Sequence, residues 1–105
     1  MRNLAIVIAA LSAMTTSAMG QSGPGDASQG HEMARTVCAE CHRVEKGQKT
    51  RKLSPIKAFQ EIANNPARTA LSLRVFLRTP HRNMPNLVLT EAETDNIIAY
   101  IHSLQ

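Results

Sequence analysis

Large aromatic side chains are scarce in this chain of 105 residues. It has no tryptophan, and its Phe and Tyr rings are limited to Phe59, Phe76 and Tyr100. A domain of about 100 residues or fewer buries little apolar surface and is marginally stable when it folds alone. With so few rings to fill its centre, the chain is expected to fold around a bound apolar group.

Cysteine is equally scarce, because Cys38 and Cys41 are the only two in the chain. A structural zinc site needs four Cys or His ligands, and the four histidines are too scattered to supply a closely spaced second pair. A thioredoxin-like dithiol needs a βαβ framework, and no segment shows the alternating pattern of a strand. A disulfide between cysteines three positions apart would also cross-link very little of the chain.

What is present is the run Cys38-Ala39-Glu40-Cys41-His42. The spacing Cys-x-x-Cys-His is that of a c-type haem attachment site. Each thiol adds to one vinyl group of the porphyrin and forms a thioether bond, and the histidine that follows lies under the iron. The sequence therefore predicts one covalently attached haem c, held by Cys38 and Cys41, with His42 as an axial ligand.

The first twenty residues have the order of a secretory signal peptide. Arg2 precedes an apolar run from Leu4 to Ala13, and small residues follow, with cleavage expected after Gly20 or Ala18. The apolar run is about half of the roughly 20 residues that a membrane span needs. No cysteine follows it that could carry a lipid. We therefore expect residues 1–20 to be removed, and the mature chain to reside in the periplasm without membrane insertion.

Residues 21–105 are predicted to form a single all-α domain of about four short helices. Apolar residues recur at helical spacing, and the expected bounds are 26–38, 56–64, 69–79 and 90–104. Asp26 and Thr69 are expected to act as N-caps. Thr90 and Glu93 have the spacing of a capping box.

The sixth coordination position of the iron needs a second residue, and Met84 is the leading candidate. It lies in an irregular loop between Pro80 and Pro85, where its side chain is not constrained by a helix. A thioether is a soft ligand that suits a low-spin haem, and a Met/His pair raises the reduction potential.

Several other residues remain as alternatives to Met84. His81 lies in the same loop. A further alternative is a sixth position that no residue of the protein occupies. His31 and Met33 are further candidates, and Met33 precedes the haem motif too closely to reach the opposite haem face easily. His102 belongs to the last helix, where a packing or surface role is expected.

Taken together, the chain resembles the class I cytochromes c, and most closely the small single-haem cytochromes of bacterial periplasms. The resemblance rests on the motif at 38–42, the loop at 79–85 and the segment at 95–101, and it covers nearly all of residues 21–105. It implies a cytochrome c-like fold around the haem. It also implies a crossing of the first and last helices at Gly30 and Tyr100, and a carbonyl of Pro55 that accepts a hydrogen bond from the proximal histidine.

The chain departs from this family pattern in two places. Many relatives carry a tryptophan that bonds a haem propionate, and this chain has none, so Arg74, Arg78 or Arg82 is the expected substitute. The aromatic residue that often faces the helix crossing is also missing from the first helix, where Met33 and Ala34 occupy that area.

Positive charge is concentrated directly after the haem motif. The chain has a formal net charge of +4, and one short segment holds five of its basic residues: Arg43, Lys46, Lys49, Arg51 and Lys52. Such a segment is either an ordinary solvated loop or a docking surface for acidic redox proteins that speeds their encounter. It has no aromatic residues among its charges, and with an exported chain this argues against nucleic acid as a partner.

The function that follows is one-electron transfer between periplasmic redox proteins, without enzymatic activity, by a chain expected to be a monomer. One alternative is a haem enzyme or gas-binding protein with an open or labile sixth position, in which His81 serves as the acid–base group. Another is a fixed electron-transfer subunit of a larger dehydrogenase or oxidase.

Overall fold

The structure, a computed structural model, describes residues 24–80 and 83–105 of the chain. Its helices in chain order are α1 (Ala27–Thr36), a 3₁₀ turn (Cys38–Glu40), α2 (Phe59–Asn64), α3 (Ala70–Arg78) and α4 (Glu91–Ser103). These ranges contain no β-strand, which confirms the all-α expectation. The expected signal peptide, together with His81 and Arg82, lies outside the described residues.

Three helices begin at the capping residues that the sequence predicts. Asp26 accepts hydrogen bonds from two backbone N–H groups in the first turn of α1, and Thr69 accepts one in α3. Thr90 and Glu93 form both hydrogen bonds of the capping box at the start of α4. Each cap satisfies N–H groups that have no partner within the helix and contributes about 1 kcal/mol.

Helix α2 begins three residues later than the sequence predicts, at Phe59 instead of Ile56. The Ser54 hydroxyl accepts a hydrogen bond from the N–H of Ile56 at 3.1 Å, which holds a turn in place of a first helical turn. Ala58 is extended, with φ −65° and ψ 148°, and its N–H bonds to Thr50 Oγ1. These local bonds compete successfully with the helix over residues 54–58.

Helix α4 is in close contact with two glycines, one within α1 and one just before it. A Cβ on Gly30 would lie 1.9 Å from the carbonyl oxygen of Asn96 and 2.9 Å from Cβ of Tyr100. Gly25 has φ +104°, and a Cβ there would lie 2.2 Å from the carbonyl oxygen of Asp95. The expected crossing at Gly30 and Tyr100 is confirmed, and Gly25 is a second point of close approach that the sequence did not indicate.

An imidazole takes the position of the aromatic residue that α1 lacks. The ring of His31 stacks on Tyr100 with a centroid separation of 4.6 Å and an interplanar angle of 22°. The Nε2 atom of His31 lies 2.9 Å from Oε2 of Glu45, and the Tyr100 hydroxyl donates to the Val44 carbonyl at 2.6 Å. Burial raises the pKa of Tyr100, which favours its protonated, hydrogen-bond-donating form. Through its contact with Glu45, His31 therefore links the crossing of α1 and α4 to the segment after the haem motif.

The hydrophobic core lies between α4 and the other helices. It is made of small and aliphatic side chains with two aromatic rings: Ala34, Val44, Phe59, Ala63, Leu73, Ile97, Ile98, Tyr100, Ile101 and Leu104. None of the helices in the described ranges is long and apolar enough to serve as a membrane span.

Candidate haem-binding site

The haem motif is folded into a tight turn at the end of α1. The Cys38 carbonyl accepts hydrogen bonds from the N–H groups of Cys41 at 3.1 Å and His42 at 2.8 Å. Both cysteines are free thiols, so the structure does not pair them in a disulfide. Burial raises the pKa of the Cys38 thiol.

A cavity of about 630 Å³ lies in front of this turn, within the range of about 300–1,000 Å³ typical of small-molecule and cofactor sites. Its walls are mostly apolar and come from every helix, with contributions from Val37, Ile62, Leu73, Phe76, Ile97 and Ile101. A cavity of this size and polarity, next to two thiols and an imidazole, fits a porphyrin that bonds covalently to the protein.

All five residues predicted for the site line this one cavity: Cys38, Cys41, His42, Pro55 and Met84. They come from three places in the chain, namely residues 38–42, Pro55 and Met84, so the fold brings them together. Of the alternative ligands, Met33 also lines the cavity, whereas His31 bonds to Glu45 and His102 lies 3.0 Å from the Arg68 carbonyl.

The ring of His42 is held in one orientation. Its Nδ1 lies 2.6 Å from the carbonyl oxygen of Lys57, and because a carbonyl can only accept, Nδ1 carries the proton. The Nε2 lone pair is then available for a metal. The ring also packs against Phe59 at a centroid distance of 5.3 Å.

The acceptor for His42 corrects the expectation drawn from the family. Pro55 lines the cavity, but the carbonyl that accepts the bond belongs to Lys57, two residues further along. The Lys57–Ala58 peptide is turned toward the histidine because its N–H, on Ala58, donates to Thr50 Oγ1 at 2.8 Å.

Thr50 is itself fixed by a carboxylate on α2. Its backbone N–H donates to Oε1 of Glu61 at 2.9 Å, and its hydroxyl donates to Oε2 at 2.7 Å. These two hydrogen bonds hold the pKa of Glu61 below its ordinary value, with smaller contributions from Lys57 and Lys49. This pair could not be predicted from the sequence, because nothing in the spacing of residues 50 and 61 indicates a contact.

Met84 follows a residue with an uncommon backbone conformation. Asn83 has φ +69°, in the left-handed region that Asn tolerates better than most residues because its short polar side chain can bond locally. Both residues line the cavity. The thioether of Met84 therefore lies at the cavity wall, directly after a residue in the left-handed region.

Two of the three arginines expected to face a propionate are engaged elsewhere. Arg74 pairs with Asp95 and with Glu91 at 3.1 Å, and Arg78 also pairs with Glu91. These ion pairs join α3 to α4 at its N-terminal end, where acidic side chains are also favoured by the helix dipole.

Three side chains with a formal charge line the cavity in the described part of the chain: Glu40, Lys57 and Arg68. The Lys57 ammonium lies 4.0 Å from Glu61. The guanidinium of Arg68 lies 5.7 Å from the ring centroid of Phe76 and has no carboxylate partner within residues 24–80 and 83–105. No motif or spacing in the sequence marks Arg68 as a cavity residue.

The zinc alternative finds no support in the same region. Across the described ranges, no three His, Cys, Asp or Glu side chains come together as a group able to hold a metal ion. A single imidazole beside two thiols and an apolar cavity is instead the donor set that a metal carried by a porphyrin requires, since the porphyrin supplies the other nitrogens.

Comparison with known proteins agrees with this geometry. The family model described as Cytochrome c matches residues 27–105. A curated relative, cytochrome c-552 of Bradyrhizobium diazoefficiens, is 33% identical over 105 residues, which cover 100% of this chain and 95% of the relative. No solved structure matches the chain significantly. The match covers the haem motif and all four helices, and it supports haem-based electron transfer. The chain belongs to the cytochrome c family and carries a covalently bound haem c.

Proposed function

We propose that the protein is a one-electron carrier whose haem has His42 and Met84 as axial ligands. The observation that carries this proposal is the presence of both side chains on the same apolar cavity as the two thiols. When bound, a haem iron supplies a ferric/ferrous couple. Two protein ligands that remain in place in both oxidation states keep the structural change on electron transfer small.

The apolar walls support the same proposal. Leu73, Ile97 and Ile101 are at most about one-twentieth exposed, so they keep water away from the cavity. A dry environment and a thioether ligand both favour the ferrous state and a higher potential.

Carbon monoxide binding tests the carrier against the enzyme or gas-binding alternative. A reduced protein with Met84 on the iron should bind carbon monoxide slowly or not at all at neutral pH, when followed by stopped-flow absorption. Rapid binding would show an open sixth position and would favour the alternative. Stoichiometric copurification with one large partner would instead favour a fixed subunit of a complex.

Export to the periplasm belongs to the same proposal. Residues 1–20 would be a signal peptide, and residues 21–105 would form a single monomeric domain without membrane insertion. Mass spectrometry of the exported protein should give an N-terminus at Gln21 or Met19, and a full-length polypeptide would contradict this.

The basic segment at 43–52 is proposed as the docking surface for acidic protein partners. All five of its basic side chains are exposed: Arg43, Lys46, Lys49, Arg51 and Lys52. The Arg51 guanidinium lies 3.4 Å from the carbonyl of Cys41. The positive surface therefore lies beside the haem attachment site, where an approaching partner would come close to the cofactor.

A charge-removing variant in this segment should slow the reaction with an acidic partner. For Lys52→Gln we expect the rate of electron transfer to an acidic blue-copper protein to fall about threefold at low ionic strength. The difference should vanish at high salt, because screening removes the attraction. Arg78→Gln carries the same charge change on α3 and should leave the rate unchanged. Equal effects of the two variants would contradict a localised docking surface.

Arg68 is proposed as a partner of a haem propionate, in place of the missing tryptophan. It is a cavity-lining cation without a carboxylate partner in the described part of the chain, whereas Arg74 and Arg78 bond to α4. An arginine beside a carboxylate lowers the pKa of that carboxylate by about 1–3 units.

Loss of this charge should appear in the pH dependence of the reduction potential. The reduction potential changes with pH as the propionate ionises, and the midpoint of this change lies at the pKa of the propionate. In Arg68→Gln we expect this midpoint to move upward by about one pH unit, since the propionate would then bind its proton more tightly. Arg78→Gln, which removes the same charge outside the cavity, serves as the control. A midpoint in Arg68→Gln that coincides with the wild-type value would exclude the proposed pairing.

A further inference from the structure

A chain of hydrogen bonds connects a surface carboxylate to the imidazole of His42. The His42 Nδ1–H donates to the Lys57 carbonyl at 2.6 Å. The N–H of the same peptide unit, on Ala58, donates to Thr50 Oγ1 at 2.8 Å, and the Thr50 hydroxyl donates to Glu61 Oε2 at 2.7 Å. Every donor in this series points the same way, from the histidine toward the carboxylate.

We propose that Thr50 and Glu61 tune the reduction potential of the haem by polarising the peptide that orients His42. This inference rests on the proposed role of His42 as the proximal ligand. Thr50 and Glu61 are positioning residues, because neither of them lines the cavity.

The direction of the effect follows from elementary electrostatics. A carboxylate that accepts from the Thr50 hydroxyl makes that oxygen a better acceptor for the N–H of Ala58. A peptide that donates more strongly through its N–H accepts more strongly through its C=O, because aligned hydrogen bonds polarise one another. The imidazole of His42 then gains electron density, which raises its basicity as a ligand and stabilises the ferric state.

The backbone around Thr50 is built to keep this chain in place. Oε1 of Glu61 accepts a hydrogen bond from the backbone N–H of Thr50 at 2.9 Å, so the carboxylate binds Thr50 through both of its oxygens. Ala58 is only 1% exposed, so water has little access to the central peptide. The charged groups around Glu61 are the ammonium groups of Lys57 and Lys49, and Glu61 keeps its negative charge at neutral pH.

The test uses the haem-loaded protein and measures the reduction potential by spectroelectrochemistry. In Thr50→Val, which removes the hydroxyl and keeps the shape, the oxidised-to-reduced ratio at a fixed applied potential should fall by about three- to tenfold. Glu61→Gln should act in the same direction. Thr50→Ser keeps the hydroxyl and should restore a value near that of the wild type.

Gln60 offers a matched control on the same helix. Its side chain accepts from the N–H of Gly47 at 2.8 Å and donates to the Leu104 carbonyl at 2.6 Å, so it also ties the basic segment to α2 but lies outside the hydrogen-bond chain. Gln60→Ala should lower the denaturant midpoint and leave the potential unchanged. If Gln60→Ala shifted the potential as much as Thr50→Val does, the shift would be due to a general loss of stability in this region. That result would overturn the proposal.

A double-mutant cycle separates polarisation through bonds from the charge of Glu61 acting through space. If the chain transmits the effect, Glu61→Gln should change the potential much less in the Thr50→Val background than in the wild type. Equal effects in the two backgrounds would contradict the proposal. The NMR shift of the His42 Nδ1 proton in the reduced protein gives a second readout, and it should move upfield in Glu61→Gln as the bond weakens.

These measurements distinguish failure of the inference from failure of the proposed function. Should Thr50→Val not acquire haem, the Nδ1 proton shift in Glu61→Gln decides the matter, and an unchanged shift would overturn the inference. A wild-type protein that binds carbon monoxide rapidly would contradict the carrier, whereas a normal carrier with unchanged potentials in every variant would contradict the inference alone.

Discussion

Replacement of Met84 by alanine should convert the protein from a carrier into a form that binds external ligands. In Met84→Ala we expect loss of the weak sulfur-to-iron absorption band at the red end of the visible spectrum, a lower reduction potential and rapid carbon monoxide binding. The potential falls because a thioether favours ferrous over ferric iron. A shift equivalent to tenfold in the ferric/ferrous ratio corresponds to about 59 mV for one electron.

Met33 is the matched control for this variant, because it also lines the cavity and is also a methionine. Met33→Leu keeps its apolar volume and should leave the band and the potential near their wild-type values. An unchanged spectrum in Met84→Ala would remove Met84 from the ligand set, and His81 would then become the residue to examine.

Gly30→Ala should cause a large loss of stability. The added carbon would lie 1.9 Å from the Asn96 carbonyl oxygen, which belongs to helix backbone and cannot move without shifting α4. Alanine gains about 1 kcal/mol over glycine in helix propensity, but overpacking of this severity costs about 3 kcal/mol or more. We therefore expect a net destabilisation of about 2 kcal/mol or more, measured by denaturant unfolding of the haem-loaded protein.

Gly47→Ala gives the comparison for a glycine with no neighbours. A Cβ at Gly47 meets nothing within 4 Å, and only its φ of +77° penalises the substitution, at a cost of about 1–2 kcal/mol. Haem attachment should survive in Gly47→Ala. If Gly30→Ala instead gained stability, as alanine does over glycine at an open helix position, the close crossing of α1 and α4 would not be a feature of the folded protein.

Features encoded over a few residues were predicted well from the sequence. The Asp26 and Thr69 caps and the capping box at Thr90 and Glu93 each depend on residues two or three positions apart, and all are present. The haem motif is equally local, since its turn is closed by bonds to the Cys38 carbonyl. Local chemistry of this kind does not depend on the rest of the fold.

Features that depend on distant segments were predicted poorly. The acceptor for His42 belongs to Lys57 because Thr50 turns the intervening peptide, and this requires a contact with Glu61 eleven positions away. The same contacts explain the late start of α2. A backbone carbonyl is present at every position, so no residue type marks the one that will be used.

The residues that pack at the helix crossing were also hard to predict from the sequence. The first helix lacks the aromatic residue that many relatives carry at the crossing, and His31 supplies the stacked ring against Tyr100. Its selection depends on Glu45, which binds its Nε2 from the segment after the haem motif. The sequence contains all three residues, but only the fold shows that they meet.

The most direct test of the account is absorption spectroscopy of the exported protein. Spectra of the oxidised and the reduced native protein are compared with the spectrum after denaturation and extraction. We predict that the haem stays attached through Cys38 and Cys41 after extraction, and that the native form is low-spin with the sulfur-to-iron band of Met84. A colourless polypeptide with both thiols open to alkylation would contradict the account.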